Sequence, residues 1–276
     1  MDVSVHYNEH RTRKQVPDDL IGIRNFHNFV KSILISEACK ITLPHSRYLD
    51  MCCGNGGDIS KLVHNNIDEY FGMDIANVAV ERALQKKSEQ SYVKGDIIHF
   101  NAFSSTAGNM LENMKQFDIV SCQFAIHYAF SDERTARTFI QNVAFALRVD
   151  GSFIITVPDC EFLRKSKKVL GKRFGNQYYS VNFKSLDDFE DFGSAYDFTF
   201  KGSVDNLTEY IVKPEVLIKL CQDCGMELVE TKNFLEYKEH ENSPLWNRMN
   251  AKYNEVSQIY RTYHFKMNEY VSKNFD

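Results

Sequence analysis

The ten residues Leu49-Asp-Met-Cys-Cys-Gly-Asn-Gly-Gly-Asp58 decide how this chain folds. They complete a short apolar run from Arg47 that predicts a β-strand, and a helix pattern begins at about Asp58. Glycines at such a strand-to-helix turn let backbone N–H groups approach a ligand closely, and the N-terminus of the following helix favours negative charge. The turn is therefore typical of α/β proteins that bind nucleotides.

Strand and helix patterns alternate on both sides of this turn. A helix pattern over residues 23–39 precedes it, with apolar residues at three- and four-residue spacing. Further strands are predicted at 69–74, 91–96, 117–123 and 152–157, and further helices at about 77–87 and 132–147. This alternation predicts a mostly parallel sheet with helices on both faces.

The pattern changes after Pro158. Three β-leaning runs lie between about residues 176 and 212 with no helix pattern between them, and we interpret them as a strand-rich insertion that binds the substrate. A helix over 214–225 and strands at 226–231 and 258–265 then complete a main sheet of seven strands. We expect one domain over residues 1–276, with a flexible segment at 1–20.

Composition excludes several classes of protein. The 276 residues are 43% hydrophobic and 25% charged, as in chains that bury a real core. Since the sequence has neither a long apolar run nor a signal-peptide pattern, we expect a soluble intracellular protein without a membrane segment. The net charge of −4 does not favour broad contact with phosphates, although one terminal nucleotide needs only a local pocket. Seven cysteines, an odd number, indicate reduced thiols, and the lone Cys221-x-x-Cys224 pair predicts no metal site.

Acidic residues point to the kind of ligand. Asp74 ends the second predicted strand twenty residues after Gly54, where nucleotide-binding folds keep an acid for ribose hydroxyls, and Asp96 ends the third. The segment from Cys52 matches G-x-G-x-x-G poorly, which disfavours a dinucleotide. Asp50, inside the first strand, suits an ammonium group. A cationic nucleoside that carries an amino acid, such as S-adenosylmethionine, therefore fits better.

Eight segments, in order, resemble the motifs of eukaryotic mRNA cap guanine-N7 methyltransferases. The resemblance covers nearly the whole chain and corresponds to a compact catalytic core without the long N-terminal extension of many relatives. It implies a Rossmann-like class I S-adenosylmethionine-dependent methyltransferase fold. The segments are His6-Tyr-Asn8, Arg24-Asn-Phe-His-Asn-Phe-Val-Lys31, Asp50-Met-Cys-Cys-Gly-Asn-Gly-Gly-Asp58, Gly72-Met-Asp-Ile-Ala76, Ser121-Cys-Gln-Phe-Ala-Ile-His-Tyr128, Phe153-Ile-Ile-Thr-Val-Pro158, Tyr196-Asp-Phe198 and Thr208-Glu-Tyr210.

The resemblance also implies which residues form the site. Positions that match the family's cofactor site are Lys31, Cys52, Gly54, Asp58, Asp74, Asp96, Gln123 and Tyr128. Positions that match its cap-binding site are His27, Asn28, Asn55, Lys61, Lys86, Phe124, His127, Phe198, Glu209 and Tyr260. Among them, Glu209 and His127 are expected to act on the reaction by position and charge. The chain departs from the family's usual Gly at Cys52, Lys at Asn55 and Asn at His27, which we interpret as tuning.

The implied activity is methyl transfer from S-adenosylmethionine to N7 of the terminal guanosine of the mRNA cap. Guanine N7 has a lone pair and no proton, so we expect in-line alignment of the reacting atoms and no general base. A carboxylate at the guanine edge, here Glu209, would favour the positive charge that develops on the base. The resemblance further implies a nuclear monomer that acts on capped mRNA, with RNA polymerase II or other capping enzymes as candidate partners.

Other functions stay open on the sequence alone. A methyltransferase of the same fold could act on a small molecule or another RNA, and the strand-rich insertion would decide between them. The departures at Cys52 and Asn55 are compatible with a member that binds ligand without turnover. A dinucleotide-dependent oxidoreductase is the last alternative.

Overall fold

A computed structural model describes residues 3–9, 18–40, 46–62, 65, 67–90, 94–240 and 254–268. The strands are β1 Ser46–Met51, β2 Ile67–Asp74, β3 Ile97–His99, β4 Phe117–Gln123, β5 Leu147–Pro158, β6 Arg173–Gly175, β7 Tyr179–Phe183, β8 Ala195–Phe200, β9 Val204–Tyr210, β10 Met226–Asn233 and β11 Tyr260–Met267. The helices are α1 Val3–Glu9, α2 Asp18–Lys40, α3 Ile59–Leu62, α4 Asn77–Ser88, α5 Ser105–Glu112, α6 Glu133–Ala146, α7 Cys160–Leu170, α8 Pro214–Asp223 and α9 Asn254–Ser257, with 3-10 turns at Ile126–Ser131 and Phe234–His240.

Seven strands form the central sheet, in the order β10-β11-β5-β4-β1-β2-β3. The pairs among β1 to β5 are parallel, whereas β11 runs antiparallel to both β5 and β10. All six residues of β1 are buried, as expected for a strand covered on both faces. The predicted seven-stranded, mostly parallel sheet is confirmed.

Alternate residues of β1 belong to two separate hydrophobic cores. Leu49 packs in one core with residues of α5, α6 and α8 such as Leu111 and Phe139. Tyr48 packs in the other with residues of α2, α3 and α4 such as Leu34. Because successive side chains of a strand point to opposite faces, this division places helices on both sides of the sheet.

A second, antiparallel sheet forms the predicted insertion, in the order β6-β7-β8-β9. Its buried side chains, among them Val181 and Phe183, share a third core with Phe26 and its neighbours on α2. The insertion is thereby anchored to the helix that precedes the glycine-rich turn. It contributes residues of β8 and β9 to a cavity at the carboxyl ends of the central strands.

Helix starts follow capping chemistry. The side chain of Asp132 accepts a hydrogen bond from Thr135 N at the start of α6, and Asp159 caps α7 through Glu161 N and Phe162 N. Helix α4 begins at Asn77, and its N-cap residue, Ala76, provides no side-chain hydrogen bond. Instead, Asn8 of α1 accepts a hydrogen bond from Val78 N at 3.2 Å, so the first helix caps the fourth.

The structure corrects several expectations. The third strand is Ile97–His99, so Asp96 precedes it, and residues 91–93 lie outside the described part of the chain. Residues 3–9 of the segment expected to be flexible form helix α1, and α2 begins at Asp18, whereas residues 10–17 are not described. Helices α5 and α7 and the short strand β6 were not predicted. Across the described residues, none of the helices combines the length and the apolar character that a bilayer crossing requires.

Candidate active site

A cavity of about 640 Å³ opens where the carboxyl ends of β1, β2 and β4 meet α2, the insertion sheet and the start of β11. Sixteen of the eighteen residues predicted for the site fall around it. They are His27, Asn28, Lys31, Cys52, Gly54, Asn55, Asp58, Asp74, Lys86, Gln123, Phe124, His127, Tyr128, Phe198, Glu209 and Tyr260. Two predicted residues, Asp96 and Lys61, do not line it. Their binding roles, like those of the other sixteen, stay predictions.

The glycine-rich turn is held by the acid at the end of β2. Asp74 accepts hydrogen bonds from Gly54 N at 2.7 Å and from Ala76 N at 2.9 Å. A Cβ built on Gly54 would meet nothing within 4 Å, so its backbone faces open space. A carboxylate has about four acceptor sites, and Asp74 therefore keeps capacity for ligand hydroxyls.

Cys52 occupies a backbone conformation that glycine prefers. Its φ is 99°, in the left-handed half of φ/ψ space that L-residues with a Cβ avoid. Its backbone still bonds to β2, because Cys52 N donates to Met73 O at 2.8 Å. This backbone conformation explains why the family usually has a glycine at this position.

Asp50 lies buried beneath the turn. Its Oδ2 accepts a hydrogen bond from the Tyr70 hydroxyl at 3.1 Å, while Oδ1 has no partner among the described residues. Burial, together with the nearby Asp58 carboxylate, raises the pKa of Asp50 to about 7. An acceptor left without a donor in this way fits a ligand with N–H groups, such as an ammonium.

Two lysines share one buried carboxylate at the edge of the cavity. Lys31 Nζ and Lys61 Nζ each lie 2.7 Å from Asp58 Oδ1. Burial alone would raise the pKa of Asp58, but the two ammonium groups outweigh it and bring this pKa to about 2. Lys61 also donates to Asn28 Oδ1 at 3.1 Å. Lys61 therefore contacts two residues of the cavity lining, Asp58 and Asn28, without lining the cavity itself.

The end of β4 brings an amide and an aromatic ring to the cavity. Gln123 Nε2 donates to Ser121 Oγ at 2.9 Å, and its Oε1 has no partner among the described residues. Phe124 has a φ of 57°, and its N–H donates to Thr156 Oγ1 at 2.9 Å. This unusual backbone turns the Phe124 ring toward Tyr260, with ring centroids 4.9 Å apart and planes at 80°.

His27 sits in the aromatic wall of the cavity. Its ring contacts those of Phe124, Phe200, Phe234 and Tyr260, with centroids 5.2–6.2 Å away. Burial first, and then the Lys31 charge, lowers the pKa of His27 to about 3, so the ring is neutral. His27 Nε2 and Ser257 Oγ form a hydrogen bond at 3.1 Å. The imidazole therefore ties α2 to the residues that lead into β11.

A buried carboxyl and a buried imidazole lie next to each other in the cavity lining. Glu209 Oε1 lies 3.6 Å from His127 Nε2, too far for a hydrogen bond. Burial lowers the pKa of His127 to about 3 and raises that of Glu209 to about 8, against the opposing effect of the hydrogen bond from Tyr196. The Tyr196 hydroxyl donates to Glu209 Oε2 at 2.8 Å. The Tyr128 hydroxyl lies 3.3 Å from that of Tyr7 on α1.

Sequence reasoning gave no role to several residues that line the cavity. Arg24 and Asn25 lie in a segment that carries the resemblance, and their helical spacing to His27, Asn28 and Lys31 would have placed Arg24 on the same face of α2. Ile75 directly follows Asp74. The remaining ones carry no sequence signal and come together only through the fold. They include Phe103, Phe200, Ser203 and Val204, whereas Tyr7 belongs to the His6-Tyr-Asn8 segment that carries the resemblance.

These features define a Rossmann-like α/β protein whose ligand cavity lies at the carboxyl ends of its central strands. One end of the cavity presents a glycine-rich turn and carboxylates, and the other presents aromatic rings with Glu209 and His127. Within the described residues there is no group of three or more His, Cys, Asp or Glu side chains that could hold a metal ion.

Comparison with known proteins identifies the family. Residues 1–270 match the model of the mRNA (guanine-N(7))-methyltransferase domain. The chain is 34% identical over 278 residues to an mRNA cap guanine-N(7) methyltransferase of Candida glabrata, an alignment that covers 92% of this chain and 65% of that protein. It is 33% identical over 259 residues to the protein of the same name from Drosophila melanogaster, covering 85% of this chain and 60% of that protein. This chain belongs to the mRNA (guanine-N(7))-methyltransferase domain family and spans less than two thirds of the length of these relatives.

Solved structures show the same fold at low identity. The CcbJ methyltransferase from Streptomyces caelestis superimposes with a TM-score of 0.59 at 10% identity, covering 96% of this chain and 98% of that one. A magnesium protoporphyrin IX methyltransferase from Synechocystis with bound SAH gives 0.56 at 16% identity, covering 96% and 98%. The predicted class I S-adenosylmethionine-dependent methyltransferase fold is confirmed.

Proposed function

We propose that this chain transfers a methyl group from S-adenosylmethionine to N7 of the terminal guanosine of the mRNA cap, converting GpppN to m7GpppN. The observation that carries the proposal is the continuity of one cavity. The same space joins the carboxylates around Asp74 to the aromatic compartment around Glu209. Family membership supports this reaction, and the continuity of the cavity supports a shared site for both reactants.

The residues at the first end of the cavity fit S-adenosylmethionine. Asp50 Oδ1 and Gln123 Oε1 are buried acceptors without partners among the described residues, and the cofactor offers amino groups to such acceptors. Asp74 suits the ribose hydroxyls, and the backbone of Gly54 faces open space beside it. When bound, the cofactor supplies the methyl group on a positively charged sulfur.

The second end fits a guanine. Rings of Phe124, Phe198 and Tyr260 line it, and stacking of this kind stabilises a bound base by roughly 1–3 kcal/mol. Glu209 offers carboxyl oxygens to the N1 and exocyclic N–H groups of the base. Arg24 and Lys86, which also line the cavity, supply positive charge for the cap's phosphates.

The chain's residues contribute position and charge, without a general base. N7 has no proton to remove, and His127 is held neutral with its two ring nitrogens free of hydrogen bonds among the described residues. Positive charge moves onto the guanine as the methyl group is transferred. An ionised Glu209 at the base edge stabilises that charge, so its protonation state controls the rate.

We also infer the setting of the reaction from the family. The substrate would be the capped end of mRNA, with RNA polymerase II or other capping enzymes as partners and the nucleus as the location. The shared core of α2 and the insertion sheet supports one methyltransferase domain, which we propose acts as a monomer.

The test is methyl transfer from radiolabelled S-adenosylmethionine to GpppG and GpppA, with uncapped RNA as control and nucleoside analysis of the product. We expect label only in 7-methylguanosine. Glu209→Gln should lower the rate strongly, whereas Tyr260→Phe, which keeps the ring, should have a mild effect. Equal losses in both variants would contradict the role given to Glu209. Cofactor binding without label in the cap would indicate another methyl acceptor, and failure to bind the cofactor would indicate a non-catalytic member.

A further inference from the structure

We propose that Tyr196 is a positioning residue for this reaction, whose hydroxyl fixes the Glu209 carboxyl in the guanine compartment and keeps it able to ionise. The inference rests on the proposed function and deepens it, since it assigns a role to a side chain that does not line the cavity. Tyr196 is 1% exposed and stands behind Glu209, which is 4% exposed.

Strand register places the two side chains together. Tyr196 on β8 is paired with Glu209 on β9 in the antiparallel sheet, and residues directly opposite each other in such a pair share one face. The Tyr196 hydroxyl reaches Glu209 Oε2 at 2.8 Å. The ring itself is set by the core, with Phe183 and Phe198 at centroid distances of 6.0 and 6.4 Å.

This hydrogen bond leaves the other carboxyl oxygen for a ligand. Glu209 Oε1 lies beyond hydrogen-bond reach of His127 Nε2, at 3.6 Å. Among the described residues, Tyr196 is the one hydrogen-bond donor to the Glu209 carboxyl. Without the hydroxyl, the carboxyl would have no hydrogen bond among the described residues to fix its orientation.

The charge of Glu209 depends on the same contact. The titratable groups that face it are His127 from the 3-10 turn, Tyr128, Tyr196 and Tyr260. Burial lowers the pKa of the imidazole and raises those of the three phenols, so all four are neutral at pH 7. No positive charge among them favours the anion. The Tyr196 hydroxyl is the contact that lowers the pKa of Glu209 against its burial.

The test compares Tyr196→Phe with a matched control, Tyr178→Phe. Tyr178 is also a buried tyrosine beside the same sheet, at 1% exposure, but its hydroxyl has no partner among the described residues. The readout is kcat/KM for GpppG methylation from pH 6 to pH 9. Cofactor affinity and thermal unfolding are measured alongside, to confirm that each variant folds.

For the wild type we expect activity to rise with pH through about 8, as Glu209 ionises. Tyr196→Phe should lower kcat/KM about tenfold at pH 7, from the loss of one hydrogen bond to a charged group. In the Tyr196→Phe variant, the rise of kcat/KM with pH should move to higher pH, so that kcat/KM partly recovers at pH 9. The affinity for the cofactor should stay unchanged. Tyr178→Phe should follow the wild-type profile. In a Glu209→Gln background, the additional Tyr196→Phe change should alter the rate less than about twofold.

A ring-fluorinated tyrosine at position 196 provides a second variant that keeps the ring and the fold. Its more acidic hydroxyl is a stronger donor, so the rising limb should move to lower pH. Two results would overturn the positioning role. In the first, Tyr196→Phe leaves the pH at which kcat/KM rises unchanged. In the second, Tyr196→Phe lowers kcat/KM as much with Gln at position 209 as with Glu. Both of these results presuppose a wild-type protein that methylates GpppG, so they count against the role of Tyr196 alone. A wild type that binds S-adenosylmethionine but leaves GpppG unmethylated overturns the proposed function, and this inference with it.

Discussion

The amide nitrogen of Gly54 lies 2.7 Å from Oδ2 of Asp74. This hydrogen bond joins the turn after β1 to the end of β2, twenty residues later, and it places the two main sequence signals of the chain in direct contact. The loop that would approach a cofactor and the acid that would bind its ribose therefore act as one structural unit.

The first prediction concerns Asp74. Asp74→Asn removes the charge and puts an N–H group where one carboxylate oxygen accepts from the backbone. Since hydrogen bonds to charged groups contribute about 1.5–3 kcal/mol, we expect the affinity for S-adenosylmethionine to fall about 10- to 100-fold by isothermal titration calorimetry. Glu81→Gln on the exposed side of α4 is the control and should bind as the wild type does. An Asp74→Asn affinity within threefold of wild type would contradict the role of this acid.

The second prediction concerns Cys52, whose φ of 99° is unfavourable for a residue with a Cβ. Cys52→Gly relieves that strain but loses the packing of the thiol, whereas Cys52→Ala keeps the Cβ and loses the thiol as well. We therefore expect the glycine variant to be more stable than the alanine variant by about 1–2 kcal/mol in urea denaturation. Cys52→Gly should bind S-adenosylmethionine at least as tightly as the wild type. An alanine variant as stable as the glycine variant would show that the backbone here is unstrained.

The third prediction concerns the buried charges around Asp58. A carboxyl whose pKa falls from 3.8 to about 2 on folding stabilises the folded state by about 2 kcal/mol at neutral pH. That stability is present above pH 4 and is lost as the pH falls toward 2. Asp58→Asn also leaves Lys31 and Lys61 without their carboxylate, so we expect a total loss of about 3 kcal/mol at pH 7.

Urea denaturation between pH 2 and pH 7 tests this expectation. The difference between wild type and Asp58→Asn should shrink as the pH falls from 4 to 2. Glu133→Gln breaks an exposed ion pair with Arg137 at 2.7 Å and is the matched control. It should change the free energy of unfolding by less than about 1 kcal/mol. If the difference in the free energy of unfolding between wild type and Asp58→Asn did not vary with pH, the charge assignment would be refuted.

The fourth prediction concerns the hydrogen bond between His27 and Ser257. Ser257→Ala leaves a buried imidazole nitrogen without its partner, which should destabilise the fold by about 1–3 kcal/mol in thermal unfolding. Because the His27 ring packs on Tyr260 at 5.2 Å, the KM for GpppG should rise while cofactor affinity stays unchanged. Ser32→Ala, which removes an exposed hydroxyl from α2, should change neither quantity. An unchanged KM with normal folding would separate His27 from the guanine compartment.

Periodicity predicted the strands and helices well where apolar residues follow one another closely. The predicted strand at 117–123 is β4 with the same bounds. Helix α5 was missed because its buried side consists of Ala107, Gly108 and Leu111, which form a weak apolar pattern. Gly108 is required there by tertiary packing, since a Cβ would lie 2.4 Å from Asn142 Oδ1.

Where the parts of the predicted site are close in sequence, the structure brings them together around the cavity. The turn at Gly54 and the acid Asp74 follow from local spacing, and the order of the motifs identified the family. Lys61 is predicted from its motif position to face the cap. In the structure its ammonium group contacts Asp58 and Asn28, which line the cavity, and its role in cap binding stays a prediction.

The sequence by itself determined the class of fold, the family and the glycine-rich turn, because each depends on residues a few positions apart or on motif order. Only the tertiary structure decided which side chains share the cavity and how they are charged. Glu209 and His127 stand 82 positions apart in the chain and 3.6 Å apart in space, and the burial that shifts both pKa values arises where β9 packs against the 3-10 turn that carries His127. Contacts of that range depend on the packing of whole elements, which local sequence patterns do not specify.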